Sequence, residues 1–124
     1  MKGAPVFLSV DHASPLLDQF METAQYRGWQ LHATGIMRNH VHIVLGVPGD
    51  PDPDALLRDL KSYGSRRLNQ QFEHPKSGTW WTAGGSRRKL PNERAVRAAV
   101  EYVRCQKSPL LIWIAPTWED EHGE

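Results

Sequence analysis

Apolar positions along the chain switch between two periods, and the switches mark its elements. Val6-Phe7-Leu8-Ser9-Val10 is a short β-prone run with Pro5 before it, which predicts a first strand. Asp11 to Pro15 reads as a turn in which Ser14 caps a helix and Pro15 takes its first position. Leu16, Leu17, Phe20, Met21 and Ala24 recur at helical spacing, so an amphipathic helix runs to about Tyr26 and stops at Gly28. Trp29 to Met37 then reads as a strand, Arg38-Asn39 as a tight turn and His40 to Val47 as the returning strand of a β-hairpin. A loop of two residues sets Met37 opposite His40, Gly35 opposite His42 and Ala33 opposite Val44. A slip of one position would bring Ile36 and Thr34 beside the histidines instead. In the first register the small neighbours leave room for a metal or a phosphate.

Gly46 to Asp54 is a loop. Its acids do not match the spacing of a calcium loop and fit a helix start better, with Asp52 as N-cap, Pro53 first and Asp54 at the positive end of the dipole. Leu57, Leu60, Gly64 and Leu68, widened by Leu56, form the buried stripe of a helix running to about Phe72. Gly64 costs about 1 kcal/mol against Ala inside a helix, which points to close packing on the sheet. After a loop over 71–78, Thr79 to Thr82 and Arg87 to Leu90 flank Ala83-Gly84-Gly85-Ser86, a strand region broken by a Gly bend. Asn92 caps a third helix with the stripe Val96, Ala99, Val100 and Val103, which Pro109 ends. Leu110 to Ile114 is a last strand or a packed tail, and the end of the chain from about 115 to 124 is acidic and loose. The order strand, helix, strand, strand, helix, strand is the split βαβ, ferredoxin-like pattern. The expected class is α+β, an antiparallel sheet with helices on one face plus an extra C-terminal helix, as one domain over 1–124.

Composition narrows the class. With 124 residues, 40% hydrophobic and 23% charged, the chain suits one modest globular core. No apolar run is long enough to span a bilayer, and no extended apolar core follows Met1-Lys2, so neither a membrane segment nor a secretory signal is expected. Cys105 is the only cysteine and cannot form an internal disulfide, which suits a reducing, cytoplasmic compartment. The net charge of +1 conceals a strong asymmetry. Residues 58–107 carry twelve Lys and Arg against four acids, a net of +8, which leaves −7 elsewhere. Such a chain can present a basic surface to a polyanion; an unevenly charged solvated surface is the alternative.

The candidate chemistry starts at Asn39-His40-Val41-His42-Ile43. Strand side chains alternate faces, so His40 and His42 point one way and Val41 and Ile43 the other. Two neighbouring imidazoles make half of a metal site, although a polar strand face gives the same pattern. Histidine-triad nucleotide hydrolases need a further alternating histidine where Val44 stands, two-histidine phosphoesterases need two separate His-x-Ser/Thr strands and neither His40 nor His42 starts one, and a structural zinc site would want four N/S ligands where Cys105 is the only thiol. Tyr63 lies at the margin of the second helix's buried stripe, near Lys61, Arg66 and Arg67. It reads either as a boundary aromatic or as a nucleophile on phosphorus, since cations stabilise a phenolate and hold a phosphate. Basic and aromatic residues around Trp80, Trp81, Arg87, Arg88 and Lys89 suit single-stranded nucleic acid, unless a tryptophan there is core.

Asn39-His40-Val41-His42, followed about twenty residues later by Leu60-Lys61-Ser62-Tyr63 with Arg66-Arg67, resembles the HUH single-tyrosine transposases, that is, the insertion-sequence transposases and the REP-associated tyrosine transposases. The resemblance extends to Arg27-Gly28-Trp29-Gln30-Leu31 and to the Trp-containing segment before the final helix. It implies a DNA endonuclease and strand transferase acting in transposition and recombination. His40 and His42 would hold one divalent ion, Mg²⁺ or Mn²⁺, and Tyr63 would attack phosphorus to leave a 5′-phosphotyrosine bond and a free 3′ hydroxyl. The implied partner is single-stranded DNA carrying a hairpin, gripped by Lys61, Arg66, Arg67, Arg87, Arg88 and Lys89, and the implied assembly is a homodimer through the sheet. In such proteins a Gln or Asn one helical turn after the tyrosine completes the metal site. After Tyr63 that position is Arg67, which cannot ligate a cation, so another group or water would supply the third ligand. The alternative is a non-catalytic, domesticated or decayed domain on the same fold that binds single-stranded nucleic acid.

Overall fold

The fold is that of a computed structural model, which describes residues 7–81 and 89–120, the side chains of the last two excepted. Its first element is a helix that begins earlier than the apolar pattern predicts. Helix α1 spans Val10–Arg27, and Ser9, not Ser14, is its N-cap. The Ser9 N–H donates to His12 Nδ1 at 2.9 Å, a capping arrangement in which His12 stands where Glu or Gln is usual. Pro15 therefore lies inside the helix and forgoes the bond to the carbonyl four residues back. The strand expected over 6–10 is not formed by its described residues. Residues 7–9 are irregular, Leu8 is buried, and its N–H donates to the Arg38 carbonyl at the hairpin turn. One backbone bond and a buried leucine anchor this segment where β propensity alone predicts a ladder. Gly28 ends α1 in the left-handed region at φ 77°, as its position suggests.

Strands β1 (Gln30–Ile36) and β2 (Val41–Gly46) form the hairpin in the expected register, with Gly35 opposite His42 and Ala33 opposite Val44. The Met37 N–H donates to the His40 carbonyl at 2.9 Å, closing the two-residue loop. The register shifts between Leu31 and Ala33, so His32 is a bulge residue. That extra residue puts Leu31 on the same side as Ile36, and both join one core. The third strand of the sheet is β3 (Leu111–Ile114), antiparallel to β1, in the order β2-β1-β3. Of the expected strand region over 79–90, residues 79–81 and 89–90 are irregular, and the Gly bend lies outside the described residues.

The sheet has a layer on each side. On one side Val41, Ile43, Leu45, Leu111 and Trp113 pack with Leu16, Leu17 and Phe20 of α1 and with Leu60 and Leu68 of α2 (Pro53–Gln71). Asp52 caps α2 through a bond from the Asp54 N–H at 3.1 Å. Gly64 of α2 faces α1 rather than the sheet, since a Cβ there would stand 2.9 Å from Leu16 Cδ1 and 3.2 Å from the Trp81 ring. Both tryptophans of the following loop are tied to α2, Trp80 through Asn69 Oδ1 at 2.8 Å and Trp81 through Ser65 Oγ at 2.7 Å. On the other side Ala33, Val44, Ile112 and Ile114 pack with Val100 and Val103 of α3 (Glu93–Arg104), the extra helix, capped by Asn92. The segment expected as a loose tail is ordered at its start. Pro116–Asp120 forms a short helix α4, and Trp118 is buried with its indole N–H donating to His32 Nδ1 at 3.0 Å. A large aromatic ring outweighs the acidic composition of the segment around it. The architecture is α+β with an antiparallel sheet, compatible with a split βαβ arrangement.

Candidate active site

Strand alternation decides which helix meets the histidines. Val41 and Ile43 pack into the α1–α2 core, so His42 and its neighbour His40 stand on the α3 side. The two rings are perpendicular, with centroids 4.8 Å apart, and their Nε2 atoms approach to 3.2 Å. Asn39 Oδ1 lies 2.7 Å from His40 Nδ1. A donor proton on that Nδ1 leaves the Nε2 lone pair of His40 directed at His42. Metal–nitrogen bonds are about 2.0–2.1 Å, and two such ligands on one ion stand about as far apart as these nitrogens do. The pair therefore fits one small divalent cation. Burial, the neighbouring His40 charge and a partly compensating hydrogen bond from His42 to the Gln106 side chain together hold the His42 pKa below its ordinary value, which favours the neutral, ligating form. Among the described residues no third His, Cys, Asp or Glu joins the pair.

The amide that faces His42 belongs to Gln106, and it arrives together with a tyrosine. The Tyr102 ring, on the last turn of α3, packs edge-on against His42 at 5.4 Å between centroids. Tyr102 is 61% exposed while its ring is held in edge contact by the His42 ring. Gln106 follows one helical turn later, just past the Cys105 cap, with its Nε2 donating to the Tyr102 carbonyl at 3.1 Å. α3 can come this close because the residue opposite His42 is Gly35. A Cβ at Gly35 would meet Met37 Cε at 3.1 Å, Ile112 Cδ1 at 3.2 Å and Val103 Cγ1 at 3.2 Å. The room expected beside the histidines is thus filled by the packing of α3, not left for a ligand. An open recess adjoins His40 and Gln106.

The residues that sequence reasoning singled out divide into two groups. His40 and His42 meet as expected. The structure does not bring Tyr63 to them. Tyr63 sits on α2 in the layer across the sheet, with the Arg66 guanidinium 5.2 Å from its ring centroid. Lys61, Arg66 and Arg67 share that helix. Arg67 ties α2 to α1, donating through Nε to Gln19 Oε1 at 3.1 Å and through its terminal nitrogen to Glu22 Oε1 at 2.7 Å. Lys89 pairs with Asp50 at 2.7 Å. Arg87 and Arg88 lie outside the described residues. Of the two tryptophans offered for base stacking, Trp80 is buried core and Trp81 covers Gly64. Tyr102 and Gln106 were missed, yet a signal was present. Tyr102 is the tyrosine in a helical pattern that has a Gln four residues on, whereas Tyr63 has Arg67, and Gly28 separates Tyr26 from Gln30.

A family model described as "Transposase IS200 like" matches residues 5–106, a span that takes in both histidines, both Tyr63 and Tyr102, and Gln106. No curated protein and no solved structure matches the chain. No helix among the described residues is long and apolar enough to cross a membrane. The family match covers well over half of the sequence, and the chain belongs to the IS200-like transposases, proteins that process DNA in transposition.

Proposed function

We propose that this transposase cleaves and rejoins single-stranded DNA, with a hairpin near the cut, through Tyr102. The observation that carries the reading is the meeting of Tyr102 and Gln106 with the histidine pair, at His42, from a helix that sequence reasoning had not assigned to the site. His40, His42 and the Gln106 carbonyl oxygen would hold Mg²⁺ or Mn²⁺. Such an ion, when bound, polarises the scissile phosphate and stabilises the charge that develops on the departing oxygen. Tyr102 supplies the nucleophile. Its phenolic oxygen forms a bond to phosphorus, the bond from phosphorus to O3′ breaks, and the phenolic proton ends on the released 3′ hydroxyl. The 5′ end stays on Tyr102 as a phosphotyrosine. Attack by another 3′ hydroxyl reverses the step and needs no ATP, because one phosphodiester is exchanged for another. Gln106 both faces the ion site and braces the Tyr102 backbone, so loss of either partner disturbs the other.

A denaturing gel with labelled single-stranded DNA from the sequence flanking the gene tests this. A Mn²⁺-dependent covalent band is expected from the wild type and from Tyr63→Phe, and none from Tyr102→Phe or His42→Ala. A band that survives in Tyr102→Phe and disappears in Tyr63→Phe would overturn the assignment. No band from any protein, with salt-sensitive DNA binding retained, would leave a binding domain in place of an enzyme.

A further inference from the structure

The recess beside the histidine pair has a volume of about 280 Å³, and Phe7, Arg38, His40, Gln106, Lys107 and Ser108 are among the residues that line it. We infer that it holds the nucleoside on the 5′ side of the cut, the one whose 3′ oxygen is released. The inference rests on the reading of Tyr102 as nucleophile, and direction carries it. Attacking and leaving oxygens lie roughly in line on opposite sides of phosphorus. Tyr102 meets the pair at His42, whereas the recess meets it at His40 and has neither His42 nor Tyr102 in its lining. A phosphate seated at the pair and attacked from Tyr102 releases its O3′ towards the recess.

The lining suits a nucleoside. The Phe7 ring is 54% exposed, and the Arg38 guanidinium lies 4.9 Å from its centroid. An aromatic face and a guanidinium plane are the two surfaces on which unpaired bases stack. The bond from the Leu8 N–H to the Arg38 carbonyl holds the segment after Phe7 against the hairpin turn. Arg38 and Lys107 have no carboxylate partner among the described residues, so both are available to the phosphate next along the strand. Ser108 is held at φ 54° immediately before Pro109, a strained conformation for a residue with a Cβ, in the wall of the recess. The volume falls just short of the ~300–1,000 Å³ of sites for drug-sized ligands, which suits one base with its sugar and not a longer segment.

The probes are deoxynucleoside 3′-monophosphates, which place a phosphate at the ion site and a nucleoside in the recess, and their 5′-monophosphate isomers, which do not. Binding to the full chain in Mg²⁺ is followed by amide NMR. The 3′ isomers are expected to bind at least fivefold more tightly than the 5′ isomers, with the largest shifts at Phe7, Lys107 and Ser108. Phe7→Ala is expected to abolish the preference, Phe7→Tyr to restore it and Tyr102→Phe to leave it intact. Equal affinities for the two isomers, or a preference that survives Phe7→Ala, would overturn the recess even if the covalent DNA adduct forms. Absence of that adduct from the wild type would instead overturn the tyrosine reading, and with it the leaving-group assignment, whatever the isomers do.

Discussion

Gln106 is a single side chain with two duties, facing the His42 ring and bonding the Tyr102 carbonyl. Its replacement by Ala is expected to weaken Mn²⁺ binding by about tenfold or more, within the range for losing a supporting metal-site partner. Calorimetric titration checks this, and an unchanged affinity would remove Gln106 from the ion site. At this scale the approach of the two histidines was legible and the approach of Tyr102 to them was not, for a physical reason. The alternation of a strand is strictly local, so His40 and His42 announce a shared face within three residues. Which helix covers that face depends on the layering of the whole sheet, and Tyr63, the nearer tyrosine in sequence, lies on the helix across the sheet from the histidines. The basic side chains were misleading in the same way. Arg67 looks like a phosphate contact in the sequence, yet its guanidinium is already satisfied by Gln19 and Glu22.

At the scale of elements, the hairpin, its register and the three long helices were readable, because caps such as Asp52, Asn92 and Gly28 act within a turn of where they stand. The start of α1 was not, since it is fixed by His12, three residues after the Ser9 cap and accepting the Ser9 N–H, and by Leu8 bonding to a residue thirty positions on. The attachment of α4 was equally invisible. It depends on a bulge that presents His32 to Trp118. Burial lowers the pKa of His32, and Nδ1 must stay unprotonated to accept the indole N–H. The unfolded chain binds this proton near pH 6.5 and the folded chain only at lower pH. The contribution of His32 is therefore fully present above that range and is lost as the pH falls through the lowered folded value. Urea unfolding at pH 7.5 and pH 5 is expected to show a loss of stability on acidification that is smaller in His32→Asn, which keeps an acceptor but does not titrate. His12, also lowered by burial and also accepting through Nδ1, contributes with the same sign and remains in that variant.

At the scale of the molecule, the sheet separates two kinds of work. The α1–α2 side carries the larger apolar core, and the α3 side carries the histidines, Tyr102 and the recess. The excess of cations between residues 58 and 107 is thus divided between the two sides, and a sum over sequence overstates the charge that any one surface presents. DNA binding should report the difference. On single strands each phosphate contact contributes about 0.7 to the slope of log affinity against log salt. Arg38→Ala is expected to reduce the slope by about that much, whereas Arg67→Ala is expected to lower the unfolding free energy and leave the slope unchanged. Equal effects of the two on the slope would return Arg67 to the DNA-binding surface.

Gly35 gives the sheet a clearance, and the clearance has a tolerance. Its missing methyl is the gap that lets Val103, one residue after Tyr102, rest against the strand opposite His42. Gly35→Ala adds only one carbon, touches neither an ion ligand nor the tyrosine, and still lifts one half of the reaction from the other by a few tenths of an ångström. Misplacement by 1 Å can cost about a hundredfold in rate, so a loss of about tenfold in the rate of adduct formation is expected, with Mn²⁺ affinity at His40 and His42 nearly unchanged. The spacing between Tyr102 and His42 is thus set by a residue without a side chain, and a change there would slow the proposed reaction without altering the chemistry of any group in it.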